Sequence, residues 1–280
     1  MTDSATPVVF VHGLWLHHTS WNPWLELFTE RGYAPVAPPW PGEEATVAAT
    51  RANPGPMSGY GVMEVANSYA DVISALPSKP IVIGHSFGGL FSQLLLNRGL
   101  GSAGVALGTA APKGVLKLPL STLRSALPAL KNPFGKNNDV PLTHEQFHWC
   151  FTNALSEDEF RYGFANNRTP EECKALYDAC AMPSPGKPLF QAATANFVPH
   201  AATAVDLHNS HRGPLLITAG GKDHTVPASV SRYTYKLHHN KSSAVTDLRE
   251  FPDADHSLTI DSDWRTVADP VLDWLAKQGR

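Results

Sequence analysis

Short apolar runs recur along the chain: "VVFV" at 8–11, "IVI" at 81–83, "GVALGT" at 104–109, "PLLIT" at 214–218 and "AVTDLREF" at 244–251. Runs of this length, rich in β-branched residues and with little polar alternation, are the signature of strands buried on both faces of a parallel sheet. Between them the apolar period lengthens to that of a helix. In "YGVMEVANSYADVISAL", Val62, Val65, Ala66, Tyr69, Val72, Ile73 and Leu76 share one helical face, and Trp264, Val267, Ala268, Val271, Leu272 and Leu275 repeat the pattern near the end of the chain. Such faces bury themselves against a sheet. The alternation predicts an α/β fold, a mainly parallel sheet flanked by helices.

From about Pro112 to His211 the alternation stops, and helix starts and loops replace strands. Thr143 with Gln146, Ser156 with Glu159, and Thr169-Pro170 with Glu172 each match a capping box ahead of apolar helical positions. The expected organisation is therefore a core of residues 1–111 and 212–280, with residues 112–211 inserted as a helical cap. A second irregular stretch, "APPWPGEEATVAATRANPGPMSG" at 37–59, reads as a Pro- and Gly-punctuated loop. It is too long for a plain connector, and loops of that kind border sites.

A chain of 280 residues with 42% apolar and 17% charged residues has material for a large core and no signature of disorder. Its net charge of -3, without a lysine or arginine run, excludes tracking of a nucleic-acid backbone. Cys150, Cys173 and Cys180 form an odd set without CxxC spacing, so buried thiols in a reducing compartment are expected, rather than a disulfide framework or a zinc site. "MTDSATPVVFVHG" lacks the basic region and long apolar run of a secretory signal, so the expected location is the cytoplasm. Residues 80–97 carry no charge, but Gly84, His85, Ser86, Gly88, Gly89, Ser92 and Gln93 among them speak for a strand and helix meeting at a turn, not for membrane insertion.

That turn is where chemistry enters. Gly84-His85-Ser86-Phe87-Gly88 fits G-x-S-x-G directly after a strand and before a helix carrying Leu90, Phe91, Leu94 and Leu95. A sharp strand-to-helix turn lifts the serine oxygen above the sheet edge, in a strained backbone that only small neighbours permit. A serine hydroxyl is a poor nucleophile at neutral pH and needs a base, which in turn needs an orienting acid. Of 13 histidines, His256 in "FPDADHSLTI" alone follows the last strand and precedes the last helix. The acid expected is Asp223, just beyond the strand at 214–218, because consecutive strand ends share the edge where ligands of such sheets bind. Asp255 is adjacent in sequence to the histidine and poorly placed to orient it, whereas Asp253 is a stronger rival. Two N–H donors must face the tetrahedral oxygen. The backbone of Phe87 is one, and the other is expected from "VHGLW", at Leu14 with Trp15 as alternative. His12, Gly13 and His85 read as residues that shape the site.

With "VFVHG", "VIGHSFGG", "LLITAGGKDHTVP" and "DADHS" in this order, the chain resembles the α/β-hydrolase superfamily over nearly its whole length outside the cap. The resemblance implies a catalytic triad of Ser86, Asp223 and His256, no cofactor and no metal. Haloalkane dehalogenases and epoxide hydrolases of that fold carry an aspartate at the elbow, where this chain has Ser86. Plant hydroxynitrile lyases carry a threonine and a lysine where this chain has Gly13 and Ser257, so hydrolysis is favoured over lyase chemistry.

The aromatic residues Trp15, Trp21, Trp40, Phe134, Phe147, Trp149, Phe151, Phe160, Tyr162, Phe164 and Phe197 serve core and pocket, and "GVLKLPLSTLRSALPALK" adds a leucine-rich stripe. Arg51 reads as exposed. The expected substrate is a small, fairly hydrophobic carboxylic ester, thioester or lactone, cleaved through an acyl-enzyme. Haloperoxidase, perhydrolase or acyltransferase use of the same triad, and a non-enzymatic ligand receptor, are the alternatives.

Overall fold

The computed structural model of the chain describes residues 5–117, 119–153 and 170–280. Strands β1 (Pro7–Val11), β2 (Ala34–Val36), β3 (Ile81–His85), β4 (Ala103–Leu107), β7 (Leu215–Gly220) and β8 (Thr246–Phe251) form one sheet in the order β2-β1-β3-β4-β7-β8, every pair parallel. β5 (Asp139–Val140) and β6 (Ser184–Pro185) pair antiparallel, away from the sheet. The five strands expected from the apolar runs are all present. β2 was hidden because it is three residues long, contains Pro35 and lies on the sheet edge, where neither face is fully covered.

The helices are α1 (Asn22–Glu30), α2 (Val47–Ala52), α3 (Val62–Ser74), α4 (Phe87–Asn97), α5 (Leu120–Leu130), α6 (His144–Cys150), α7 (Pro170–Cys180), α8 (Lys187–Thr194), α9 (Ala228–Lys241) and α10 (Arg265–Lys277). Helix α3 buries Val62, Val65, Ala66, Tyr69 and Ile73, the face its period marks, and α10 buries Val267, Ala268, Val271, Leu272 and Leu275. The two faces of the sheet carry separate apolar clusters, one with Trp40, Tyr69, Phe91, Phe147 and Phe151, the other with Phe10, Trp21, Trp24 and Phe28. One expectation is revised: the stretch at 37–59 is not all loop. It holds α2, started by Thr46, whose hydroxyl accepts the Ala49 N–H at 3.1 Å.

Helices α5–α8 and the β5–β6 ribbon all fall between β4 and β7. The capping box at Thr143 and Gln146 is formed in both directions. The boxes at Ser156–Glu159 and at Thr169 lie outside the described residues, as do Phe160, Tyr162, Phe164 and the side chain of Phe134. Arg51 is not free at the surface. Its guanidinium donates to Ala181 O at 2.7 Å and Tyr177 O at 2.6 Å and lies 5.1 Å from the Tyr177 ring centroid, tying α2 to the end of α7.

Helix α4 is buried from Phe87 to Leu96 and lies directly on the sheet. A Cβ added to Gly84 would come within 1.9 Å of Gly88 O, and one added to Gly88 within 1.9 Å of Val11 O. Backbone meets backbone there with no room for a side chain. Gly88→Ala should therefore lower unfolding stability by about 2 kcal/mol or more, because neither backbone can yield cheaply. Gly55→Ala, at a position with open space around it, should stay within about 0.5 kcal/mol of wild type. Denaturant melts of the two variants compare them directly.

Candidate active site

Ser86 stands between β3 and α4 at φ 57° and ψ -119°, a conformation costly for a non-glycine residue. Backbone hydrogen bonds hold it: Ser86 N–H donates to Leu107 O at 2.9 Å, and Ser86 O accepts from Gly89 at 3.0 Å, from Ala110 at 2.9 Å and from Leu90 at 3.3 Å. The elbow is thus tied to both α4 and the exit of β4. Its side chain lines a cavity of about 450 Å³.

Asp223 follows β7 and His256 follows β8, neighbouring strands, and the structure brings the two side chains together. His256 Nδ1 donates to Asp223 Oδ2 at 2.6 Å, while Asp223 Oδ1 accepts the Val226 N–H at 2.7 Å. Both residues are buried. Burial pushes the Asp223 carboxyl above its ordinary value, against the opposing pull of His256 and the Val226 N–H. The rivals sit elsewhere. Asp253 reaches out beside Lys222 with its side chain 89% exposed, and Asp255 accepts from the backbone and hydroxyl of Ser257. Nε2 of His256 is buried and has no hydrogen-bond partner among the described residues, so the ring retains a site for one proton. Gly108, one residue past β4, joins the two halves: a Cβ there would lie 3.4 Å from Asp223 Oδ2 and 3.5 Å from His256 Nδ1, while its neighbour Leu107 accepts from Ser86.

His85 is fully buried, its ring centroid 4.6 Å from that of His256. Burial, reinforced by the neighbouring His256, holds its pKa well below the ordinary value, so it is a neutral wall of the site. On the other flank, Phe151 lies 5.2 Å from the His256 ring.

The loop after β1 closes over the serine. A Cβ on Gly13 would come within 2.7 Å of Ser86 Cβ, so a larger residue there would displace Ser86. Trp15 is the second non-glycine residue at positive φ, 65°. Its N–H is already given to Ser184 Oγ at 2.6 Å, whereas the Leu14 N–H has no acceptor among the described residues. Further bonds run from Trp15 Nε1 to Val140 O, from Met182 N to Trp15 O and from His17 N to Cys180 O. The loop is therefore clamped to the segment between β4 and β7.

Around Ser86 the cavity wall is apolar, with Val115, Leu123, Ala126 and Leu130 on one side, Leu189 and Ala192 of α8 on another, and Val226 and Val230 beyond Asp223. Of the aromatic candidates Trp15 and Phe197 line it, whereas Trp21, Trp40, Phe147 and Phe151 belong to the clusters on the sheet. The leucine stripe divides: Leu116, Leu123 and Leu130 line the cavity, Leu116 and Leu123 at its exposed margin, while Leu120 and Leu127 are exposed and line none of it. Sequence reasoning missed Ser184 and the contacts of Asn153 and Thr225. Asn153 accepts the His224 N–H and donates to Lys222 O, and Thr225 Oγ1 lies 2.7 Å from Cys150 O, so these two clip α6 to the Asp223 loop. They carry no sequence signal, because their partners lie far off in the chain.

A parallel sheet with a strained serine at a strand-to-helix turn, and an aspartate–histidine pair at the same edge, defines a protein of the hydrolase class. A family profile of alpha/beta hydrolases matches residues 8–269, and the chain belongs to the alpha/beta hydrolase family. Comparison with curated protein sequences finds no match. Among solved structures it is similar to a monoacylglycerol lipase of Paleococcus ferrophilus, at 21% identity and TM-score 0.65 over 98% of this chain and 96% of that one. It also resembles a methylesterase from Arabidopsis, at 15% identity and TM-score 0.64 over 97% and 99% of the two chains. A pyrethroid hydrolase from Sphingobium faniae aligns at 17% identity and TM-score 0.62 over 96% and 97%. No helix among the described residues is long and apolar enough to cross a membrane.

The cysteines lie in the protein interior. All three are buried, and burial pushes the thiols of Cys150 and Cys180 up to about 11. At pH 8 only about one such thiol in a thousand is a thiolate. A disulfide reagent such as DTNB should give no fast phase with the native protein at pH 8, and three equivalents after unfolding in guanidinium.

Proposed function

We propose that the protein is a serine hydrolase that cleaves small, fairly hydrophobic carboxylic esters, thioesters or lactones through an acyl-enzyme, with residues 112–211 acting as a cap over the site. The observation that carries this reading is the buried 2.6 Å Asp223–His256 hydrogen bond at the sheet edge where a strained Ser86 opens into an apolar cavity.

In this reading Ser86 Oγ attacks the substrate carbonyl while its proton passes to His256 Nε2. Asp223 holds the opposite ring nitrogen as N–H and balances the imidazolium that forms. The oxygen of the tetrahedral intermediate accepts from the backbone N–H groups of Leu14 and Phe87, the latter at the N-terminus of α4, whose dipole favours negative charge. His256 then delivers its proton to the leaving alcohol. Water, activated by the same ring, releases the acid. The apolar wall accommodates the acyl or alcohol chain, and Ser184 supports Leu14 as donor by occupying the neighbouring Trp15 N–H. Three buried cysteines, none in a disulfide, agree with a reducing compartment such as the cytoplasm.

Hydrolysis of a p-nitrophenyl ester series from acetate to decanoate tests the reading. Ser86→Ala and His256→Ala should lower kcat/KM by about 10⁴-fold or more, with Asp223→Ala losing somewhat less. A fluorophosphonate probe should label wild type and not Ser86→Ala. Ala126→Phe, which narrows the cavity, should move the optimum to shorter acyl chains. Ester consumption only when an alcohol or peroxide acceptor is supplied would shift the assignment to acyl transfer or perhydrolysis. Tight ligand binding without turnover would shift it to a receptor.

A further inference from the structure

A second buried set of ionisable groups lies behind the loop after β1. The Glu43 side chain is wholly buried, an expensive place for a carboxylate. It accepts the backbone N–H of His18 on Oε1 at 2.8 Å and that of Trp40 on Oε2 at 2.9 Å. Three imidazoles complete its surroundings: His12 Nε2 at 2.9 Å, His18 Nδ1 at 2.8 Å and His17 Nε2 at 3.3 Å. Burial opposes ionisation, yet His12 and His18 outweigh it and hold the Glu43 carboxyl well below the usual range. Glu43 is an anion, and among the described residues no lysine or arginine pairs with it. The compensating charge has to sit on a histidine.

Burial and contacts together point to one of them. His17 accepts the Thr19 N–H on Nδ1 at 3.3 Å and faces Glu44 O with Nε2 at 3.0 Å, so a single proton satisfies it. Its nitrogens are thereby committed, which argues against using the close approach of His17, His18 and Glu43 as a metal site. His18 needs only one N–H to bond Glu43 Oε1 at 2.8 Å, and it is partly open to water. His12 is 1% exposed, and each of its nitrogens faces an oxygen that only accepts: Gly13 O lies 2.9 Å from Nδ1, and Glu43 Oε2 lies 2.9 Å from Nε2. The second approach is an ion-pair contact off the ideal hydrogen-bond line. At that separation, however, an unprotonated nitrogen would set its lone pair against a carboxylate oxygen. The ring also stacks on Trp40, 5.2 Å between centroids at 29°, within cation–π range.

Gly13 O and the Leu14 N–H belong to one planar trans peptide and point in opposite directions. A His12 that holds Gly13 O therefore sets the direction of the Leu14 N–H. We propose that Glu43 and His12 form a carboxylate–imidazolium pair that acts as a positioning device for the Leu14 oxyanion donor, fixing its peptide plane and polarising it. The donor role of Leu14 rests on the function proposed above; the charged pair does not.

The pair is tested first without any activity. In the wild-type protein with ¹⁵N-labelled histidine at pH 7.5, the ring assigned by its loss in His12→Asn should have both nitrogens in the protonated range. One nitrogen in the unprotonated range would overturn the proposal. The second test is Glu43→Gln, which keeps the shape and removes the charge. It should lower kcat on p-nitrophenyl butyrate by about tenfold or more, with KM within about twofold, and abolish the doubly protonated signal. A folded Glu43→Gln protein with wild-type kcat would sink the positioning role. Should that variant not fold, the wild-type spectrum decides. A doubly protonated His12 in a protein that hydrolyses no ester would retain the pair and defeat the proposed function.

Discussion

The site depends on a contact between backbones. Helix α4 lies so close to β3 and β1 that Gly84, Gly88 and Val11 touch through main-chain atoms, and this closeness turns the chain sharply enough to hold Ser86 at φ 57°. An isolated serine would not remain there. The strain is sustained by the hydrogen bonds to Leu107, Gly89 and Ala110 and by burial of Leu90, Phe91, Leu94 and Leu95 along the same helix. The elbow is thus a local conformation imposed by a large apolar contact.

A second dependence runs through the segment between β4 and β7. The loop carrying Leu14 and Trp15 is bonded on one side to β6 and the end of α7, and its Gly13 carbonyl is held by His12. The Asp223 loop is clipped to α6 by Asn153 and Thr225. The inserted segment therefore does more than cover the cavity, because it braces two of the loops that surround Ser86.

Two buried carboxylates illustrate how surroundings decide chemistry. Asp223 meets one imidazole and one backbone N–H, and burial prevails, raising its proton affinity. Glu43 meets three imidazoles and two backbone N–H groups, and its proton affinity falls in spite of burial. The first arrangement suits a partner whose charge comes and goes with a proton. The second suits a fixed charge that holds a loop in place.

Much of this was legible in the sequence. Five of the strands, helices α3 and α10, the elbow and the pairing of Asp223 with His256 follow from apolar period, glycine placement and chain order, which are local signals amplified by the regularity of a parallel sheet. What only the tertiary structure decided are contacts between residues distant in the chain: Arg51 bound to the carbonyls of α7, Ser184 taking the Trp15 N–H, Glu43 gathered with His12, His17 and His18. Strand β2 and helix α2 were missed because a short exposed edge and a short capped helix carry too little apolar pattern to stand out. The physical reason is common to all of these. Periodicity records which side of an element is buried, whereas a buried polar group is satisfied by whichever donor or acceptor the fold brings to it, and no spacing in the chain encodes that partner.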